Sequence, residues 1–537
     1  MREEVKSLSG QVFVRTASGL VRTISLADVF MFNVFFIGLG YAVAVQYIWA
    51  AWMFPGGSIF WGHIVATILC TFMGASYAYL SIAMPRSGGD YVFASRILHP
   101  AIGFASSWNL FIWSAFWTQL NGTFFVQFSL SSFFSTLGFG LNNPSLIDVA
   151  TAITKPVPTF VIGSIVMWLI ALLITLPQKI YFTFQKIMFI IAMVGLLVTV
   201  GLLVSTTRSG FIATFNEALK PYSKDTYESI IAAAKDAGWN TNPQPSAVNT
   251  VGIVPIAFLT LGYGWYTAYF SGEVKEVAKS QMAGIVGSLI FSGVFMAVVG
   301  WLYETIIGYE FLSALAYIFY VGGTSVQLPF APYYTTIVGL LTKNPILVFL
   351  VAITLACWGW QWICGNVWAA SRGIFAWSYD RLGPEYLSRV HSRWHTPYAS
   401  ILAVYAVAQV IMVVYVFTPY LGTLGGMFGT TLTFFFVALS ALLLPYRRKD
   451  IFEKMPLRHR IAGIPAVSIC GALGVFLCFV MFYYAFTVPA LGMITVPMEF
   501  ALVVVFALGF IIYYSVKAYR MKKGIDIALA YREVPPA

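Results

Sequence analysis

Charge is what this chain has least of. Only 9% of its 537 residues are Asp, Glu, Lys or Arg, against about 25% in a soluble protein. So few charged groups do not cover a water-facing surface, which excludes a soluble globular protein. Cysteine is also scarce: Cys70, Cys357, Cys364, Cys470 and Cys478 all fall inside apolar runs. They have no spacing for a disulfide framework or a metal site and read as small packing residues. Of the five histidines, His63 alone lies in an apolar run, while His99, His391, His395 and His459 fall between runs. The sequence has no nucleophile–base pair, metal-ligand cluster or phosphate loop, so enzymatic chemistry is not expected. The first 26 residues carry Arg2, Lys6, Arg15 and Arg22 without a long apolar stretch, so no signal peptide is expected.

What the chain has in quantity is apolar length, with 59% hydrophobic and 17% aromatic residues. Runs of about 20 residues suit a bilayer-spanning helix. Twelve are expected, near 27–50, 58–84, 101–135, 158–177, 181–205, 250–271, 281–307, 345–371, 398–417, 422–445, 463–487 and 493–515. The third is long enough to require tilt or an extension beyond the bilayer. With the N-terminus inside, the outer segments hold only Lys155, Arg208, Lys220, Lys224, Lys235 and Lys343, and the other 25 of the 31 basic residues face the cytoplasm. That bias follows the positive-inside rule. The net charge of +11 therefore marks orientation, and no basic soluble domain exists to bind nucleic acid. The expected fold class is an all-α integral membrane protein of the cytoplasmic membrane, multi-pass, with both termini cytoplasmic.

Two runs are interrupted alike, half a molecule apart: Ile37-Gly38-Leu39-Gly40-Tyr41 and Leu261-Gly262-Tyr263-Gly264-Trp265. Glycine lets a helix unwind, and in lipid unwound backbone is tolerated only against protein or a water-lined cavity. Matching interruptions in two halves point to a transporter's substrate site. The restart after Gly38 would offer free amides and the positive end of a helix dipole to a carboxylate. The carbonyls around Thr260, Leu261 and Gly262 would suit an ammonium group. Aromatic residues crowd the same depth: Tyr41, Tyr263, Trp265 and Tyr266 adjoin the breaks, Trp113 and Trp117 lie mid-way along the third span, and Trp358, Trp360 and Trp362 lie mid-way along the eighth. Such residues could line a pocket.

The breaks fall in the first and sixth spans, so an odd number of spans separates the copies and inverts the second. The expected organisation is a cytoplasmic segment 1–26, a first inverted repeat 27–205 with helices 1–5, and an extracellular loop 206–249. A second repeat 250–445 with helices 6–10 follows, then a basic cytoplasmic connector 446–462, two extra helices in 463–515, and a cytoplasmic tail 516–537. The stretch SKDTYESIIAAAKDAGW in the long loop has the periodicity of a short amphipathic helix and reads as a cap. Connector 446–462 reads as an anionic-lipid contact. Glu304 and Glu499, near the outer ends of spans 7 and 12, read as interface residues.

Four segments, in order, resemble the amino acid–polyamine–organocation transporter superfamily: LVRTISLADV with FFIGLGYAV, PRSGGDYVFASR, SGEVKEVAKSQMAGIVGS, and ASRGIFAWSYDRLGPEYLSRVHSRWHTPYAS. The resemblance runs from about residue 20 to 445. It implies a five-plus-five inverted repeat with discontinuous helices 1 and 6, alternating access, substrate carboxylate bound at Gly38, Leu39 and Gly40, and amine bound near Thr260 to Gly262. Three positions depart from it. Leu39 replaces a small hydroxyl residue, Trp265 replaces an acid after the second break, and Ala192 stands near the place of a lysine in helix 5, with Lys186 closer to the cytoplasmic end. The expected function is secondary transport of amino acids, neutral ones first, because a cation held only by carbonyls lacks charge pairing. A polyamine or other amine carrier, a channel and a non-transporting amino-acid sensor are the alternatives. The expected binding residues are Ile37, Gly38, Leu39, Gly40, Tyr41, Thr260, Leu261, Gly262, Tyr263, Gly264, Trp265, Trp117 and Trp358. No cofactor or metal is expected, the coupling ion is a proton or sodium, and the partners are a small amino acid or amine and membrane lipids.

Overall fold

A computed structural model describes residues 19–324, 326, 328, 330–421, 426–491 and 495–531. Arg2, Lys6, Arg15 and Arg532, the outermost parts of the two terminal segments, residues 422–425 of the tenth expected span and 493–494 of the twelfth lie outside the described residues.

Each expected span coincides with a helix. They are α1 Leu26–Met53, α2 Ile59–Ala83, α3 Pro100–Phe124, α4 Pro156–Thr175, α5 Gln178–Val204 and α6 Ala247–Leu261. They continue with α7 Val277–Leu302, α8 Pro345–Tyr379, α9 Tyr398–Phe417, α10 Gly426–Arg447, α11 Ala466–Thr487 and α12 Val496–Lys522. Ten are long and apolar enough to cross a membrane, with α7 counted through to Tyr320. The other two are α3, which is less apolar and 25 residues long, and the short α6 of 15 residues. The excess length of the third expected span is a helical extension through Phe125–Leu130 and Ser131–Gly140. The described residues contain one two-stranded hairpin, β1 Arg460–Ile461 with β2 Ile464–Pro465, in the basic connector.

The packing pairs repeat. Helix α1 lies on α7 and α6 lies on α2; α2 pairs with α7, α3 with α8 and α4 with α9; α5 lies on α8 and α10 on α3. Exchanging α1–α5 with α6–α10 maps each of these pairs onto itself or onto another, as a pseudo-twofold requires. Helix α11 adds to α10 and α2, and α12 to α3. Apolar side chains such as Leu169, Ile190 and Val503 stand exposed on α4, α5 and α12, a surface suited to lipid.

The long loop folds as two helices, Arg208–Leu219 and Tyr227–Asp236. The second, with a capping box from Thr226 and Ser229, buries Tyr227 against Phe311 with stacked rings 4.2 Å apart. It is a cap on the helix Tyr309–Tyr320 that continues α7. Glu304, read from the sequence as an interface residue, also caps a helix. Its Oε1 accepts the Ile59 amide at 2.7 Å at the start of α2. His63 bonds back to the Ile59 carbonyl at 2.8 Å within α2, and all five cysteines are buried and free.

Replacing Glu304 with Leu leaves the buried Ile59 amide without an acceptor. The expected cost is about 1–3 kcal/mol, read as a lower thermal midpoint in detergent, with function intact in the folded fraction.

Candidate functional site

The first break forms at one residue. Gly38 takes left-handed angles, φ 74° and ψ 58°, which a side chain disfavours. Its amide ends the first half of α1 on the Val34 carbonyl at 3.2 Å, and its carbonyl starts the second half by accepting the Tyr41 and Ala42 amides, both at 2.9 Å. By helix geometry the amides of Leu39 and Gly40 lead that restart without an intrahelical acceptor. The Trp362 indole of α8 donates to the Phe36 carbonyl at 2.6 Å and so holds a carbonyl of the first half. A Cβ at Gly38 would sit 2.6 Å from Trp362, and one at Gly40 2.1 Å from Trp358. The two tryptophans lie where side chains would otherwise be.

The second break is built differently from the first. Gly262 is right-handed, with φ −60° and ψ −7°, and α6 runs out through tight turns. The Tyr263 amide donates to the Thr260 carbonyl at 3.0 Å, and the Gly264 amide to the Leu261 carbonyl at 2.9 Å. Each of those carbonyls therefore keeps one lone pair rather than two. Short 3₁₀ turns, Tyr266–Tyr269 and Ser271–Glu273, carry the chain to α7.

The breaks meet. A Cβ at Gly264 would lie 3.0 Å from Ile37 Cδ1, and the Phe36 and Tyr263 rings are 4.8 Å apart. Around them run Tyr41 against Trp362 at 4.2 Å, Trp362 towards Tyr263 at 6.4 Å and Tyr263 against Trp117 at 6.3 Å. Of the residues singled out in the sequence, Ile37, Gly38, Gly40, Tyr41, Gly264, Tyr263 and Trp117 are thus brought together, with Leu39 buried in the restart. Trp358 stands behind Gly40, edge-on to Phe35 at 4.9 Å. Trp265 turns away from α1 and stacks on Tyr77 of α2 at 5.6 Å. The Thr260 hydroxyl accepts the Gln46 amide at 3.2 Å, and the same amide reaches the Ile256 carbonyl at 2.8 Å. Trp362 and Gln46, which bond across the two breaks, lie outside the set picked from the sequence. Trp113 belongs elsewhere: its ring fills the place of a side chain at Gly429 of α10.

Charge gathers at one end of the bundle, the basic face, and there too burial alters the picture. Arg96 and Arg372, counted in the sequence as orientation charges, are fully buried in ion pairs. Arg372 grips Glu273 with two bonds, Nε to Oε1 at 3.0 Å and Nη2 to Oε2 at 2.9 Å, and lies 3.9 Å over the Trp368 ring. Gln178 of α5 donates to the same carboxylate, Ser87 donates to it at 3.2 Å, and the Thr23 and Ile24 amides donate to the Glu273 carbonyl at 3.0 and 3.1 Å. The segment before α1, the loop after α2, α5, the turn that joins α6 to α7, and α8 are sealed together at this point, below the breaks. Arg96 pairs with Asp380 at 2.7 Å. Among the described residues, no group of three or more His, Cys, Asp or Glu is placed to hold a metal.

The family model described as amino acid permease matches residues 29–509. The Branched-chain amino acid permease BcaP of Lactococcus lactis subsp. cremoris (strain MG1363) is similar at 25% identity over 431 residues, which cover 79% of this chain and 82% of that protein.

Removing one partner of a buried ion pair strands the other. Arg372→Leu is expected to cost about 3–5 kcal/mol, and adding Glu273→Leu is expected to restore most of it. Unfolding of the single and double variants in detergent checks this, and a double variant no more stable than the single one contradicts it.

Proposed function

The chain belongs to the amino acid permease family, and from that premise we propose that it is a secondary active transporter of neutral, apolar amino acids that works by alternating access. As a multi-pass membrane permease it takes a small amino acid as substrate, and the finer assignment rests chiefly on one observation. Two broken helices meet inside a ring of Tyr41, Trp117, Tyr263 and Trp362, and none of the residues named around them carries a charged side chain.

A zwitterion fits there without one. Its carboxylate would lie at the Leu39 and Gly40 amides, at the positive end of the restarted helix. Its ammonium would take the remaining lone pairs of the Thr260 and Leu261 carbonyls and the Gly262 carbonyl. The side chain would face the aromatic ring, where the Tyr41 hydroxyl and the Trp117 indole N–H have no protein partner. The resemblance to a branched-chain permease supports an apolar side chain. A charged side chain would lack a partner in the ring, at a cost of several kcal/mol.

The Glu273–Arg372 seal lies on the basic face, which we assign to the cytoplasm because 25 of the 31 basic residues fall on that side of the expected topology. Transport then requires α1, α2, α6 and α7 to rock against the rest and separate the seal, with a proton or sodium ion as the driving partner. We assign the protein to the cytoplasmic membrane with both termini inside.

Proteoliposome uptake of a labelled amino-acid panel, with proton and sodium gradients imposed separately, tests this reading. Saturable, gradient-driven uptake of leucine-like substrates is expected; uptake of polyamines alone, or binding without uptake, overturns it. Gly40→Val, which drives a side chain into Trp358, is expected to weaken substrate binding at least tenfold, or about 1.4 kcal/mol, in protein that still folds.

A further inference from the structure

Four acidic residues are buried among the described residues: Asp28, Asp90, Glu273 and Asp380. Three have a cation. Asp28 meets Lys186 at 2.8 Å, Glu273 meets Arg372 at 2.9 Å and Asp380 meets Arg96 at 2.7 Å. Asp90 has none. It is fully buried, with no protein hydrogen bond of ordinary geometry to either carboxyl oxygen, and only the amides of Tyr91 and Asp90 itself lie close by. An ionised carboxylate so buried and without a cation is too costly to persist, so the group neutralises by keeping its proton.

Asp90 begins the short helix Asp90–Ile97, in the loop that closes the basic face. The cations around it are engaged elsewhere, Arg86 of the same loop with the Pro85 carbonyl at 2.9 Å. Tyr77 of α2 and Tyr266 and Tyr269 beyond the second break lie nearby, the first and last with hydroxyls 3.4 Å apart. From α8, Arg372 and Asp380 are committed to Glu273 and Arg96. Tyr91, on the same short helix, and Tyr531 join the Asp380 cluster. At the end of α10, Arg447 and Arg448 donate to the Leu98 and Arg96 carbonyls. Helix α3 brings no ionisable side chain beyond His99 at its cap. Burial pushes the Asp90 carboxyl well above the usual carboxylate range, and the amides of Tyr91 and Asp90 draw it only part of the way back.

We propose that Asp90 is a proton-binding site of the basic face, holding a proton while that face is sealed and releasing it to water there when the face opens. Its loop is tied to the stretch after the second break by Gly88 N–H to the Tyr269 carbonyl at 2.8 Å and the Ser271 hydroxyl to the Arg86 carbonyl at 2.9 Å. Those contacts separate if the segments rock apart, and water then reaches the carboxyl. The O–H bond breaks, the proton passes to water and the carboxylate stays hydrated. Only this opening step rests on the alternating-access reading. The sealed state has the higher affinity for the proton, so its advantage is complete below about pH 4, the ordinary carboxylate value. It fades as pH rises towards the sealed-state value, by about tenfold per pH unit in that interval for one linked proton.

Infrared spectroscopy of the full chain in lipid, between about pH 5 and pH 7, reads the site directly. A protonated-carboxyl stretch is expected that Asp90→Asn removes and Asp90→Glu displaces. In proteoliposomes with pH stepped only on the basic face, wild-type exchange is expected to rise severalfold over that range and Asp90→Asn exchange to stay flat. A band indifferent to both substitutions overturns the proposal, as does wild-type pH dependence in Asp90→Asn. If Asp90→Asn does not fold, the Asp90→Glu band decides: displaced supports the site, unmoved overturns it. The band in a protein that moves no substrate supports the site and counts against the transport reading.

Discussion

A helix broken inside a membrane must find partners for the backbone groups it releases, because hydrocarbon supplies none and each unsatisfied group costs several kcal/mol. The centre of this protein is organised around that requirement. The indole of Trp362 takes the Phe36 carbonyl of the first break. Gln46, from the second half of α1, takes the Ile256 carbonyl of α6, a helix already interrupted by Pro255. The break in α1 is thus satisfied from α8, while α6 is tied to α1 by Gln46 and its end is satisfied by its own turns. Gly38 and Gly40 serve the same end, since any side chain there would push Trp362 and Trp358 away. The leading amides of the restart and the second lone pairs of the α6 carbonyls are left over, the groups that the proposed zwitterion site would use.

The seal on the basic face has the opposite character. Arg372 and Glu273 are both completely buried, so their attraction is set largely against the loss of water around each. In a wall that opens, as the proposed alternating access requires, that balance is useful. Separating two apolar surfaces exposes both to water with no return, whereas separating this pair rehydrates each charge. The pair also fixes register, because its two parallel bonds and the Trp368 face beneath the guanidinium hold Arg372 in one orientation. A seal of this kind is specific when closed and costs less to release than an apolar contact of the same area.

Much of this architecture was legible in the chain because apolar length and glycine pairs are local signals. The two breaks could be read from Gly-x-Gly inside runs that were otherwise long enough to span. Their difference could not: Gly38 turns left-handed while Gly262 stays helical, although the flanking sequences look alike. Trp362 was indistinguishable from Trp358 and Trp360 in a row of alternating tryptophans, because its bond to Phe36 spans 326 residues. Arg372 looked like one more orientation charge at the end of a span. Its setting in Ala-Ala-Ser-Arg-Gly, flanked by apolar residues, was the only local hint of burial. Glu304 looked like an acid near headgroup water because its partner, the Ile59 amide, lies 245 residues away.

The departure at Trp265 bears on selectivity. An acid there would place a charge beside the second break, but the indole instead stacks on Tyr77 and meets Phe434 at 5.2 Å, closing that side with apolar surface. On the proposed reading, recognition of the amino and carboxyl groups is then left to backbone, which every α-amino acid would satisfy equally. Discrimination falls to the aromatic ring, where one methylene more or less is worth about 1–3 kcal/mol. Such a site would reject a charged side chain strongly, because nothing there would pair with it. It separates one apolar side chain from the next only modestly. Breadth within the neutral apolar class, with a sharp edge at charge, is the selectivity this geometry favours.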